Sequence, residues 1–165
     1  MQAINVKRTL EKFTIATLIE DKRTSLTELK ALAIVNPTIV ATEAFPIIIP
    51  ALPNSKEDVE MLRGIVETIE ACLCSESMQC KDPATVKQAT QANTLTLSSD
   101  TSHIATLLDT LEERDWAVRL CILKVLSALV VDRLAALQSA VLSSSQGLAR
   151  LMDVLSDSRE IIRNE

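Results

Sequence analysis

Glycine and aromatic residues are almost missing from this chain of 165 residues: it has two Gly, two Phe (Phe13, Phe45), one Trp (Trp116) and no Tyr. Strands and tight turns draw on those residue types, so β-sandwiches, barrels and glycine-rich phosphate loops have little to be built from. Basic clusters are lacking too. With 17 basic against 22 acidic residues the formal net charge is −5, which argues against nucleic acid as the main partner, because phosphate binding needs clustered Lys and Arg. Nor is there an apolar run of about 18 residues, the length of a membrane-spanning helix; the densest stretch, Leu120 to Val131, is interrupted by Lys124 and Ser127. The opening MQAINVKRTLEKF has no apolar h-region and no small-residue cleavage pattern, so a secretory signal is not expected. Cys72, Cys74, Cys80 and Cys121 then read as cytosolic thiols kept reduced.

What is present is aliphatic, and 47% of the residues are apolar. The core must therefore be helical. One motif is written twice: IATLLDTLEERDWAVR (Ile104 to Arg119) and LARLMDVLSDSREIIR (Leu148 to Arg163) align without a gap at an offset of 44 residues. Identities fall at Ala105/Ala149, Leu107/Leu151, Asp109/Asp153, Leu111/Leu155 and Arg119/Arg163. That offset lies within the period of roughly 40 to 47 residues of armadillo and HEAT repeats, helical units that bury their apolar face only by stacking on a neighbour. The expected fold is all-α, an armadillo/HEAT-like helical solenoid occupying 1–165.

Taken in order, Val6 to Ile19 forms a weak amphipathic helix able to cap a stack. Leu26, Leu29, Leu32 and Ala33 then keep helical spacing, with Asp21 or Ser25 as candidate caps and Asn36-Pro37 as the stop. Arg23 stands where Arg119 stands. A short helix over Thr38 to Ala44 precedes FPIIIPALP, where Pro46 and Pro50 predict a short or kinked helix. Phe45, Ile48, Ile49 and Leu52 take the slots of Ile104, Leu107, Leu108 and Leu111. Asn54 or Ser55 is expected to cap the next helix, with its stripe of Val59, Leu62, Ile65, Val66 and Ile69. Residues 74–102, rich in Ser, Thr, Gln and Asn, predict a polar, flexible insert with at best a polar helix from Ala84 to Ala92. Beyond it, Ser102 and Asp115 are expected caps, Trp116 to Val130 is apolar nearly all round, and Leu134, Leu137, Val141 and Leu142 mark another helix. Gly147 starts the final copy, and Asp157 with Glu160 resembles a capping box for a helix that the chain leaves short. The expectation is a solenoid truncated mid-repeat, a fragment of a longer head.

These residues resemble a family. GLARLMDVLSDSREIIRNE (Gly147 to Glu165), with IATLLDTLEERDWAVR and LSALV (Leu126 to Val130), is similar to the N-terminal head of the general vesicular transport factor family, the Uso-type golgin tethers. Its most specific part is DSRE with RNE (Asp157 to Glu160, Arg163 to Glu165), and LIEDKRTSLTELKALA (Leu18 to Ala33) resembles that family's first repeat. The resemblance is strong over 103–165, moderate over 10–35 and slight over 74–102. It implies an armadillo-like head that dimerises in the full-length parent, on a cytoplasmic protein held peripherally at Golgi and transport-vesicle membranes. In that family a long coiled coil and an acidic tail follow. The implied role is vesicle tethering in ER-to-Golgi and intra-Golgi transport, with a Rab-family GTPase, golgins and SNARE or coat components as partners. This chain has no heptad region and no acidic tail. The alternative is a generic armadillo adaptor of the importin type, which a single Trp without an Asn row disfavours.

No cofactor is expected. Cys72, Cys74 and Cys80 with His103 match neither paired CxxC nor finger spacing, so they read as ordinary thiols and not as a zinc set. One His, no GxSxG elbow and no oxyanion turn leave little for an enzyme to use. The candidate interface residues are Trp116, Arg119, Asp109, Glu112, Glu113, Arg159, Glu160 and Arg163. For Arg23, Arg119 and Arg163 the structural reading is a pair with an acid of the adjacent repeat, such as Asp109 or Asp153; the functional reading is a ligand-binding ladder. Trp116 reads as core, with an interface role left open. Asp109, Glu112 and Glu113 read as a solvated face, with partner docking as the alternative.

Overall fold

The computed structural model describes residues 2–74, 78 and 82–165, among which there are ten α-helices, one 3-10 segment and no strand. Helices α1 (Gln2–Ile15) and α2 (Ile19–Val35) open the chain. Three tiers follow, each of two elements and a closing helix that stacks, like α2, in one row: α3 (Pro37–Ile48), the 3-10 segment Ile49–Ser55 and α4 (Val59–Leu73); α5 (Pro83–Ser98), α6 (Thr101–Thr110) and α7 (Trp116–Asp132); α8 (Leu134–Ser143), α9 (Gly147–Val154) and α10 (Glu160–Asn164). The closing helices stack in order, α2 on α4, α4 on α7 and α7 on α10, while α6 packs on the 3-10 segment before it and on α9 after it. The two copies of the motif therefore lie against each other, as an armadillo-like stack requires.

The core is the apolar stripe of each element turned toward its neighbours. Phe45, Ile48, Ile49 and Leu52 are at most 1% exposed, and so are Ile104, Leu107, Leu108 and Leu111, the residues with which they align. Each such side chain contributes about 1.5–3 kcal/mol by leaving water. The kinked-helix expectation over FPIIIPALP is met in altered form. Helix α3 runs through Pro46 to Ile48, and the chain then tightens into a 3-10 turn, because Pro50 has no N–H to continue the α-helical ladder. Gly64 lets α4 approach α2 closely: a Cβ there would meet Leu26 Cδ1 at 3.0 Å and Leu26 Cβ at 3.1 Å. A methyl group at this crossing would require the Leu26 side chain to give way.

Several expected caps move. Helix α2 begins at Ile19, before Asp21 and Ser25, and Ser25 instead donates to the Asp21 carbonyl from inside the helix. Asp58 caps α4 by accepting from Met61 N at 3.0 Å, while Ser55 bonds back to Ala51 O. Asp100, not Ser102, caps α6. In each of the last two cases a carboxylate has displaced a hydroxyl, and its full charge beside the positive end of the helix is the physical reason. Asp115 caps α7 as expected, accepting from Ala117 N and Val118 N at 3.1 Å.

Over 74–102, where the sequence predicts a polar insert with at best a polar helix from Ala84 to Ala92, the helix is longer and packed. Residues 75–77 and 79–81 lie outside the described residues. The rest contains α5, which takes the same place in its tier as α3 and α8 and packs on α3, α4 and α7. Asp82 caps it and Pro83 occupies its first position. Its polarity is deceptive because Thr94 and Thr96 satisfy their hydroxyls on the helix's own carbonyls, Gln91 O and Ala92 O, at 3.0 and 3.1 Å. The buried Asn93 donates to Cys72 O at 2.7 Å, tying α5 to the end of α4. The wider spacing between the first two copies comes from the connection 74–82 and from the greater length of α5, 16 residues against 10 in α8.

Candidate interaction edge

Along one edge of the stack, where the short helices hand over to the closing helices, charged pairs repeat from tier to tier. Arg23, in the second turn of α2, reaches Asp58 with Nη2–Oδ1 at 2.9 Å and Nε–Oδ2 at 3.3 Å. Arg63, one tier on in α4, reaches Asp115 with Nε–Oδ1 at 2.9 Å, and its Nη2 takes the other oxygen. Arg119 in α7 reaches Asp157 with Nη1–Oδ2 at 2.7 Å. The Asp in the first two rungs also caps the following closing helix, so one carboxylate fixes a helix start and ties it to the tier before. Paired forks of this kind set orientation as well as attraction.

The third rung is the deepest, with side chains 8% and 4% exposed. Asp157 turns Oδ1 to Arg159 N at 2.9 Å and Oδ2 to Arg119. It forms no capping box with Glu160, because α10 starts at Glu160 with Arg159 in the capping position, two residues beyond Asp157. The Arg159 amide holds the Asp157 carboxyl below its usual pKa, and Arg119 adds to this against the opposing effect of burial. Asp115 is likewise held low, chiefly by Arg63. At Asp58 burial works upward, but the Met61 amide and Arg23 overcome it and the net direction is again down.

Sequence reasoning placed Arg23 and Arg119 in equivalent positions but named Asp109 or Asp153 as the partner. Arg119 reaches Asp153 only at 3.5 Å, and Asp109 pairs with Arg150 at 2.7 Å. The Arg63–Asp115 rung was missed altogether. Its signal lay in the sequence: Arg63 stands five residues after Asp58, and Arg23 five after Leu18, just as each closing helix enters its second turn. Arg163 is exposed and donates Nη1 to Asp157 O at 2.7 Å, much as Arg119 donates Nε to Glu113 O at 2.6 Å.

Trp116, expected in the core, is 45% exposed. As the first residue of α7 it has no preceding turn to fold onto, so its ring stands off the edge. Asp109, Glu112 and Glu113 line a shallow cavity of about 180 Å³ together with Leu52, Lys56, Leu62 and Thr110. Arg150 and Lys56 both reach Glu112, at 3.4 and 3.6 Å. Arg159 and Glu160 are exposed at the start of α10, on the same edge. Asp109, Glu112 and Glu113 thus sit between the first and second tiers and reach the third through Arg150, while Arg119 meets Asp157 at the junction of the second and third. A second set of pairs crosses the closing helices farther along: Lys30–Glu67 at 2.9 Å and Lys124–Glu70 at 3.3 Å, with Cys121 Sγ donating to Glu70 at 3.1 Å. Burial pushes the Cys121 thiol up, with Glu70 adding to the effect, and burial alone does the same at Cys72. Both are thereby kept as protonated, poorly nucleophilic thiols. Of the sulfur set considered for zinc, Cys80 lies outside the described residues; among the described residues no three His, Cys, Asp or Glu are grouped to hold a metal.

The comparisons with known proteins agree with this architecture. No family model matches the chain. It is 37% identical over 163 residues to Golgin candidate 6 of Arabidopsis thaliana, a match covering 97% of this chain and 18% of that protein. It is 27% identical to the human general vesicular transport factor p115, covering 99% of this chain and 17% of that one. The chain thus spans less than a fifth of the length of the curated relatives it matches. Among solved structures, the crystal structure of Uso1-1 superposes with a TM-score of 0.81 at 18% identity, covering 99% of this chain and 28% of that one. The superposition shows a shared fold, and sequence similarity running nearly end to end makes this chain a homologue of Golgin candidate 6 and the general vesicular transport factor.

Proposed function

We propose that this chain is part of the armadillo-like head of a vesicle-tethering factor, and that it works by offering the edge around Trp116, Asp109, Glu112, Glu113 and Arg159 to protein partners. The observation that carries the reading is the 37% identity to a golgin over 97% of the chain. The chemistry of the edge supports it: Arg–Asp pairs fix one closing helix against the next, so what it presents is a shape and a charge pattern. The partners in this proposal are a Rab-family GTPase, golgins and SNARE or coat components, with peripheral residence on Golgi and transport-vesicle membranes and dimerisation in the full-length parent.

A relocation assay tests it. The chain is fused to a mitochondrial anchor in cells, and Golgi-derived vesicles are scored at mitochondria by microscopy. Accumulation of vesicle markers there, absent with an anchored unrelated helical repeat, is the expected result. Equal scores for the two anchors would overturn the proposal. Preferential capture of the GTP-loaded over the GDP-loaded form of a Rab by the purified chain tests the partner class separately.

A further inference from the structure

Each of the first three closing helices begins with an apolar residue that stays in water: Ile19 is 52% exposed, Val59 37% and Trp116 45%. They lie at equivalent places because the Arg23–Asp58 and Arg63–Asp115 rungs tie the starts of consecutive closing helices together. Stacked helices are spaced about 8–10 Å apart, so the three side chains form a row with that step. Single apolar side chains on a surface are ordinary; what sets these three apart from the other exposed ones is that they recur at the same place on successive stacked helices.

The charge beside the row is acidic. Arg23 is shared by three carboxylates, Glu20, Asp58 and Glu60, at 2.9, 2.9 and 2.7 Å. One cation against three anions leaves an excess of negative charge, and Glu20 and Glu60 are 79% and 70% exposed. Lys22, over the Phe13 ring at 5.9 Å, supplies one positive charge nearby and leaves the group acidic. The row therefore suits an apolar segment flanked by Lys or Arg.

The spacing selects the conformation of that segment. Seven residues of an α-helix rise about 10.5 Å and return to the same face within a small angle. An extended strand covers about 10 Å in three residues, but the third side chain then points to the opposite face. Resting on the reading of this edge as a docking surface, we propose that Ile19, Val59 and Trp116 bind a basic amphipathic helix whose apolar residues recur at every seventh position, one for each tier.

Trp116 is the single tryptophan of the chain, so its emission reports directly on the row. The probe is a stapled helical peptide of about 18 residues with leucine at every seventh position and lysine and alanine elsewhere, fluorescein-labelled and titrated with the full chain. The expected result is saturable anisotropy with a blue shift of Trp116 emission, and binding weakened about tenfold by Trp116→Ala or Val59→Ser. Glu60→Lys should weaken it about threefold and flatten its salt dependence. Circular dichroism checks that each variant is folded; should Trp116→Ala unfold, Val59→Ser probes the neighbouring step. Equal binding of a peptide with the same composition and shuffled leucines, an unmoved Trp116 emission at saturation, or no binding at all would each overturn the proposal. Retention of vesicle capture by the Trp116→Ala, Val59→Ser double variant in the relocation assay would remove this proposal and leave the tethering reading standing. Loss of capture by the unaltered chain, with the peptide still bound, would do the reverse.

Discussion

Leu111 is 1% exposed, and Leu155, the same residue of the same motif one tier later, is 59% exposed. Leu107 and Leu151 differ in the same direction, the first fully buried and the second only in part. The local sequence is alike and both copies are helical, so helix formation does not account for the difference. Neighbours do. Helix α6 has the 3-10 segment on one side and α8 and α9 on the other, whereas α9 packs on α6 and α8. In a stacked fold, burial belongs to the interface between units and not to the unit itself.

That contrast can be broken by mutation. Leu107→Ala should cost about 3 kcal/mol, within the range for a filled core site, and Leu151→Ala about 1 kcal/mol. Urea unfolding followed by circular dichroism reads both; equal costs would mean that the two copies share one environment after all. The charged positions sharpen it next. Arg119→Ala should cost about 2 kcal/mol because it strands the buried Asp157 carboxylate, while Arg163→Ala, on the exposed counterpart, should stay within about 0.5 kcal/mol. A larger loss at Arg163 than at Arg119 would remove the assignment of the buried rung.

Acid titration probes the same rung. The Asp157 carboxyl is held lower in the folded chain than its unfolded value of about 4. Its contribution is thus present above that value and is lost as pH falls through the depressed folded one. Between pH 5 and pH 2 the unaltered chain should lose stability more steeply than Asp157→Asn; parallel curves would show that the carboxylate is not coupled to folding. The smallest effect concerns α5, which has no counterpart in the repeated motif. Amide exchange at Thr94 to Leu97 should be slowed comparably with Ile104 to Leu108. Fast exchange there would restore the flexible insert that the polar sequence suggested.

How much could be read beforehand differs by element. The motif copies, Asp115 as a cap and the buried quartet at 45, 48, 49 and 52 were legible because each depends on spacing within a turn or two of helix. The full length and packing of α5 were not, since Thr and Asn look polar in a list, while in a helix threonine hydroxyls turn back onto carbonyls and the methyl groups remain to be packed. The capping box at Asp157 misled for another reason: α10 starts two residues later than the pattern implies, and Asp157 spends its oxygens on the Arg159 amide and on a guanidinium from 38 residues upstream.

By itself the sequence determined that this chain is helical, that its helices repeat at an armadillo-like interval and that an Arg recurs near the start of its closing helices, because these follow from periodicity along a few turns. Only the tertiary structure decided which acid each Arg meets, that Trp116 faces water and that Leu111 and Leu155 part company. Those outcomes depend on which surface stacks against which, and that contact joins residues tens of positions apart, beyond the reach of any local pattern.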